Sequence, residues 1–212
     1  MRRNKRMEFR KDIREGWDFV SRKPGMLYLL FLSMVSSCSF QMINTILAPF
    51  VTRELQGSSV LFAALDISFT VGGALAGLTI HWALSRWKQY VVIGSLVGMG
   101  SSAALCGFSP NPTVVGICLF GLGFFTMVHF VTMQTLVQIN TPKEMMGRMV
   151  GFRSIAVSFA KIASALMTGY LSSLIPPQAV FLIFSGLVAI VLFTVGRVKG
   201  IPVPTVFLQR AS

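Results

Sequence analysis

Residues 25–51 read GMLYLLFLSMVSSCSFQMINTILAPFV, an apolar stretch without a single Asp, Glu, Lys or Arg. A helix of about 20 such residues crosses the hydrocarbon core of a bilayer, where no water can pair an open backbone N–H or C=O. Similar stretches recur along the chain, of which 53% is hydrophobic and only 12% charged. The sequence therefore predicts a membrane protein built from spanning helices.

A soluble fold is excluded by the same composition. Soluble domains carry about 25% charged residues, and the mean hydropathy of this chain is +0.69. A chain of 212 residues is too short to bury all of these apolar segments in one core.

The chain has a net charge of +12, and nine of its 19 Lys and Arg residues lie in an N-terminal run, Met1–Lys23, that also contains acidic residues and leads into the first span. This arrangement is typical of a cytoplasmic flank beside anionic lipid. Nucleic-acid binding is not predicted, because the run is interleaved with acidic residues and no aromatic-basic platform accompanies it.

The fold class predicted is all-α, with a basic cytoplasmic segment over residues 1–24, a six-span unit over 25–198 and a cytoplasmic tail over 199–212. Short links rich in Gly, Pro, Asn and Ser separate the spans. The spans are predicted at about residues 25–51, 60–84, 90–108, 113–139, 150–175 and 179–198.

Basic residues in the links predict the orientation, because Lys and Arg accumulate on the cytoplasmic side. With the N-terminus inside, sixteen of the 19 Lys and Arg residues fall on the inner side and only Arg53 on the outer side. Both chain ends are therefore predicted to be cytoplasmic. Six spans with this topology suit two inverted three-helix repeats, an arrangement common in transporters.

Four sequence motifs resemble those of the major facilitator superfamily, and more narrowly its drug- and siderophore-efflux (macrolide-type) branch. The most specific runs from Gln138 to Gly151, QINTPKEMMGRMVG, and fixes a Pro and a Gly-Arg pair between the fourth and fifth spans. The others are DIREGWDFV from Asp12, LAP at residues 47–49, and GGALAG at residues 72–77.

The resemblance covers the C-terminal six-helix half of such a transporter, since complete members have twelve spans. It implies a plasma (bacterial inner) membrane protein that exports a small amphipathic molecule, driven by protons. It also implies a second six-helix unit, either the missing N-terminal half or a second copy of the chain. The chain departs from the family pattern at Phe62-Ala-Ala and at Met146. The alternative is a truncated or accessory membrane subunit without transport activity.

Polar residues in the first span recur on one face, at Ser33, Ser37, Gln41 and Asn44. The family's seventh helix lines the substrate cavity, so the resemblance places Gln41 and Asn44 in the substrate pathway. Interhelical hydrogen bonding, worth about 0.6 kcal/mol per contact, explains the same pattern.

Lys161, near the middle of the fifth span, is the most costly residue to place in lipid, at about 2.5–3.5 kcal/mol. It is predicted to face a cavity or a partner and, with Ser158 on the same face, to line the substrate pathway. Asp66 in the second span is a candidate for proton coupling, and it would pair with Lys161 if the two spans approached each other.

Thr126 and His129 share a face of the fourth span and are also assigned to the substrate pathway, with a packing role for His129 as the alternative. Gly73 and Gly77 have the spacing of a close helix contact.

The inner-face loop is represented by Pro142, Gly147 and Arg148. The inner-face charges Glu144, Arg148 and Arg153 are interpreted as gating or anchoring charges, with a role in setting topology alone as the alternative. No catalytic residue, metal site or cofactor is predicted, because the sequence contains no metal cluster, phosphate loop or dinucleotide motif. Gly107-Phe-Ser109 superficially resembles a serine-protease element, but it lies in a Pro-Asn-Pro turn without an oriented histidine.

Overall fold

The computed structural model describes residues 16–17, 20–86, 90–109 and 111–197. Most of the basic segment predicted over 1–24, and the whole tail predicted over 199–212, lie outside the described residues. Six helices within these ranges are long and apolar enough to cross a membrane, which confirms the predicted number of spans. They are α1 (Pro24–Pro49), α2 (Ser59–Arg86), α3 (Val91–Phe108), α4 (Pro112–Ile139), α5 (Met146–Leu174) and α6 (Pro177–Arg197).

The end of α1 changes from α- to π-helical geometry over Phe50–Glu54. Pro49 stands at this point, and a proline inside a helix removes a backbone hydrogen-bond donor and locally alters the winding. Arg53, in the π-helical turn, donates a hydrogen bond to the carbonyl of Ser172 at 2.9 Å. The C-terminal end of α1 is thereby attached to the C-terminal end of α5.

The fifth helix begins earlier than expected, at Met146 rather than near Val150. A single 3-10 turn, Lys143–Met145, follows Pro142 and leads directly into α5. The Met145 N–H donates a hydrogen bond to the Pro142 carbonyl at 3.0 Å. No loop residue separates this turn from the helix.

Helix packing is uneven. The two helices α1 and α4 pack against each other at the centre, α2 packs along α4, and α5 packs along α1. The remaining two, α3 and α6, pack against each other and close one side, where α3 also contacts α4. Only 28% of the spanning window of α2 and 6% of that of α5 are buried. These two helices therefore flank an open side of the bundle.

Glycines set the close approach of α2 to α4. A side chain at Gly72 would overlap the backbone carbonyl of Phe120, and one at Gly123 would overlap that of Phe69. Ser68 donates a hydrogen bond from α2 to the Gly116 carbonyl at 2.7 Å. Small residues at both surfaces let the two backbones meet, which is a common way to join helices in lipid.

Of the predicted pair Gly73 and Gly77, Gly73 lies beside this contact, since a Cβ there would be in ordinary van der Waals contact with Gly123 and Met127 on α4. A Cβ at Gly77 would contact nothing within 4 Å. Gly77 is exposed, whereas Gly72 points at the partner helix. Neighbouring residues on a helix differ by about 100° in direction, so a shift of one residue changes which surface a side chain faces.

This geometry predicts that Gly72→Ala lowers the free energy of unfolding by about 1–3 kcal/mol, because the added methyl must push α2 away from α4. Thermal unfolding of the detergent-solubilised chain, followed by circular dichroism, measures the effect.

Gly77→Ala is the matched control on the same helix. Its methyl enters open space, and the better helix propensity of alanine leaves stability unchanged or raises it by up to about 1 kcal/mol. A Gly72→Ala chain that unfolds at or above the temperature of the Gly77→Ala chain would contradict the proposed contact.

Candidate functional site

A cleft of about 180 Å³ opens where α1, α4 and α5 meet. Its lining combines two serines, two aromatic rings, a methionine and a lysine. The lining residues are Ser36, Ser37, Phe40, Met127, Phe130 and Lys161.

Lys161 lies next to Ala160, the midpoint of α5. Its side chain is exposed, and it has no hydrogen bond or ion pair with any residue that the structure describes. Ser158, one turn earlier on the same helix, is exposed as well. Both predicted residues thus lie on the part of α5 that is left uncovered by α1.

Arg153 is a second cation beside the cleft, although it is not one of the lining residues. Its position in the sequence groups it with the inner-face charges. Its Nε donates to Ser33 Oγ at 3.5 Å, and its guanidinium carbon lies 5.4 Å from the centre of the Phe130 ring. Its Nη2 is buried and, among the described residues, has no hydrogen-bond partner. The two cations, Arg153 and Lys161, lie about two helical turns apart on α5. This spacing can be read from the sequence.

The polar stripe of α1 divides into two halves. Ser33 and Ser37 are buried, and their hydroxyls donate to the carbonyls of Leu29 and Ser33 at 2.9 and 3.1 Å. Gln41 is half-buried and Asn44 exposed, with the Asn44 amide donating to the Phe40 carbonyl at 2.9 Å. Only the half with Gln41 and Asn44 is open.

Thr126 and His129 do not line an open surface, because both are fully buried. Thr126 Oγ1 lies 3.1 Å from Ser39 Oγ on α1. The His129 ring bridges three helices, with Nδ1 3.1 Å from Ser95 Oγ on α3 and Nε2 3.1 Å from the Leu32 carbonyl on α1. The substrate-pathway assignment is corrected for these two residues, which hold α4 to its neighbours by hydrogen bonds.

Asp66 lies on α2 and is half-buried. It forms no ion pair or hydrogen bond with the described residues, and its predicted partner Lys161 is not brought to it. The physical reason is the packing order, in which α2 lies along α4 whereas α5 lies along α1.

The predicted loop residues surround the start of α5. Pro142, Gly147 and Arg148 are all exposed, and Arg148 Nη1 contacts Met145 Sδ at 4.0 Å. Nearby, the Trp17 ring packs against Phe152 with 6.0 Å between ring centres. Among the described residues, no three His, Cys, Asp or Glu side chains are grouped so that they could hold a metal ion.

The burial of these residues predicts their reactivity toward a small aqueous thiol reagent. In a chain with Cys38, Cys106 and Cys118 replaced by Ala, Lys161→Cys is expected to react, because its side chain is uncovered. His129→Cys is expected to stay unlabelled, because the packed helices exclude water. Mass spectrometry after labelling in membranes measures both, and equal labelling of the two variants would contradict the assignment.

Residues 29–207 of the chain match the family described as Major Facilitator Superfamily. The uncharacterized MFS-type transporter YfmI of Bacillus subtilis is 21% identical over 175 residues, which cover 81% of this chain and 43% of YfmI. The uncharacterized MFS-type transporter YfiS of the same organism is 27% identical over 179 residues, covering 81% of this chain and 42% of YfiS.

A third relative is the enterobactin exporter EntS of Salmonella choleraesuis, 28% identical over 120 residues that cover 57% of this chain and 28% of the exporter. The chain thus spans less than half the length of the curated relatives it matches. No solved structure matches the chain. With six helices long enough to cross a membrane and a family match over most of its length, the chain belongs to the Major Facilitator Superfamily.

Proposed function

We propose that the chain is one six-helix half of a secondary transporter, which exports a small amphipathic molecule once a second six-helix unit covers its open side. The observation that carries this proposal is the position of Lys161. A lysine at the middle of a spanning helix, uncovered and next to a cleft, requires water, substrate or protein rather than lipid around it.

The open side supports a missing partner. On both flanking helices, α2 and α5, most of the spanning window is unburied, and polar residues stand among the exposed ones. Thr70, Ser154 and Ser158 are examples. A second unit packed against this side would separate these groups from the bilayer.

The cleft volume is consistent with half of a binding site. Pockets for drug-sized ligands measure about 300–1,000 Å³, whereas this cleft measures about 180 Å³. A matching surface on a second unit would complete the cavity. Gln41 and Asn44 on α1 and Ser158 and Lys161 on α5 would form the polar part of the substrate pathway.

The packing order supports two inverted three-helix repeats. In two such repeats, α1 would be equivalent to α4, α2 to α5 and α3 to α6. The contact of α1 with α5 would then be equivalent to that of α4 with α2, and both contacts exist. The contacts of α1 with α4 and of α3 with α6 would each join two equivalent helices. Transporters with such repeats commonly alternate access by rocking one six-helix unit against the other.

Charge and similarity support the proposed orientation, direction of transport and location. The excess of basic residues in the links favours a cytoplasmic position for both chain ends. The similarity to the enterobactin exporter supports export within the drug- and siderophore-efflux branch, and a bacterial inner membrane. Asp66, a half-buried carboxylate in a spanning helix, is our candidate for taking up and releasing the coupling proton.

The test is efflux of an amphipathic dye from vesicles that contain the full chain, with and without a pH gradient. Gradient-dependent efflux is expected to fall at least about tenfold in Asp66→Asn, because a proton-transfer group contributes about 10²–10⁴-fold where it is essential. It is also expected to fall in Lys161→Ala, because the Lys161 side chain is part of the proposed substrate pathway. Glu54→Gln, which neutralises a carboxylate beyond the end of α1, is the matched control and is expected to retain efflux.

Unchanged efflux in Asp66→Asn would show that Asp66 does not couple transport to protons. A chain that remains monomeric and shows no efflux under any gradient would favour the alternative, an accessory membrane subunit without transport activity of its own.

A further inference from the structure

We infer that Arg153 and Lys161 form a binding site for the anionic group of an amphipathic molecule, between α1, α4 and α5. The inference rests on the proposed transport function and specifies the class of substrate. The anion would be a carboxylate, sulfonate or similar group attached to an apolar body.

Two positive charges within one spanning helix are the first argument. Their backbone positions are separated by about 12 Å along α5, at 1.5 Å per residue. Phe130 connects the two, because its ring lies beneath the Arg153 guanidinium and also lines the cleft that Lys161 lines. The two cations therefore belong to one surface.

The absence of compensating negative charge is the second argument. Among the described residues, the carboxylates are those of Glu54, Asp66 and Glu144, and none forms an ion pair with Arg153 or Lys161. Glu54 lies between α1 and α2, and Glu144 between α4 and α5, both at helix ends. Charged groups within a membrane are usually paired, and the described part of the chain supplies no anionic partner for these two cations.

An unpaired donor is the third argument. Buried polar side-chain atoms almost always have a hydrogen-bond partner. Arg153 Nη2 has none among the described residues, although Nε of the same side chain reaches Ser33 Oγ. A guanidinium presents donors in a planar fork that suits an oxyanion. Because neighbouring side chains enclose Nη2 in this structure, an oxygen of the bound anion would reach it once those side chains move aside.

The remaining lining indicates an amphipathic ligand rather than an inorganic ion. The rings of Phe40 and Phe130 and the thioether of Met127 present apolar surface beside Lys161. A molecule that combines an apolar body with an anionic group would satisfy both parts of the cleft.

The test compares two thiol reagents of similar size and opposite charge at a single cysteine, Ser158→Cys, in the full chain with the three native cysteines replaced by Ala. The reagents are sulfonatoethyl and trimethylammonium-ethyl methanethiosulfonate. Ser158 and Lys161 are neighbours on the helix surface, about 5–6 Å apart at Cβ. Replacing Lys161 by Gln is therefore expected to lower the ratio of anionic to cationic reaction rates by about tenfold.

The matched controls separate charge from folding. Lys161→Arg keeps the charge and is expected to keep the ratio. Lys143→Gln removes the same charge from the exposed turn before α5 and is expected to leave the ratio unchanged. An amphipathic anion such as dansylglycine should slow both reagents in the parent chain, and tetraphenylphosphonium, an amphipathic cation, should not. Arg153→Gln should abolish the protection by the anion.

Each failure has a distinct meaning. If Ser158→Cys reacts equally in the Lys161→Gln and parent chains, the anion site is wrong while the transport proposal stands. If Ser158→Cys reacts with neither reagent, the aqueous pathway and the anion site both fall. If the anion preference exists in the monomer and disappears in an assembled form, a carboxylate of the second unit fills the site, which overturns the assignment to substrate.

Discussion

A positive charge at the depth of Lys161 has to be kept away from lipid, and much of the arrangement around it follows from this constraint. The aliphatic stem of a lysine can carry its ammonium group toward an interface, but from the midpoint of α5 neither interface is near. The part of α5 that carries Lys161 and Ser158 must therefore face water or protein. Because α5 packs along α1 through its other side, this polar part is directed toward the cleft shared with α4.

The rest of the bundle keeps that cleft in place. Fully buried His129 connects α4 to α1 and α3, and Ser39 with Thr126 adds a second link between α1 and α4. On the far side, Phe50 and Phe181 join α1 to α6 with 5.2 Å between ring centres. A firmly packed centre with two weakly covered flanks is what a rocking mechanism requires, because the flanks can change partners while the centre stays intact.

Sequence reasoning found the parts of this structure that depend on hydropathy. Long apolar stretches with few or no charges predict six spans, and the position of Lys161 in such a stretch predicts that it needs unusual surroundings. Periodicity was less informative, because it shows which residues share a face but not which neighbour covers that face. Ser33 and Asn44 lie on the same stripe of α1, yet α5 covers the first and leaves the second open.

The errors have the same origin. Thr126 and His129 have the polar character of pathway residues, but only the packing of α1 and α3 onto α4 shows that they are enclosed. The sequence indicates a close glycine contact on α2, but not that its tightest point is Gly72 or that its partner is α4, since register depends on how two helices cross. Arg153 was overlooked as a site residue because its importance depends on a ring from α4 and a hydroxyl from α1.

The central claim is that a second six-helix unit covers the side on which Lys161 lies. Site-specific photo-cross-linking in native membranes tests it most directly, with a benzophenone amino acid placed at Ile162 on α5 or at Ile190 on α6, both strongly exposed. We expect Ile162 to cross-link to a membrane protein that mass spectrometry identifies as a six-helix unit of this family or a second copy of the chain, and Ile190 to contact lipid. Cross-links from Ile190 alone, or lipid contact at both positions, would contradict the account.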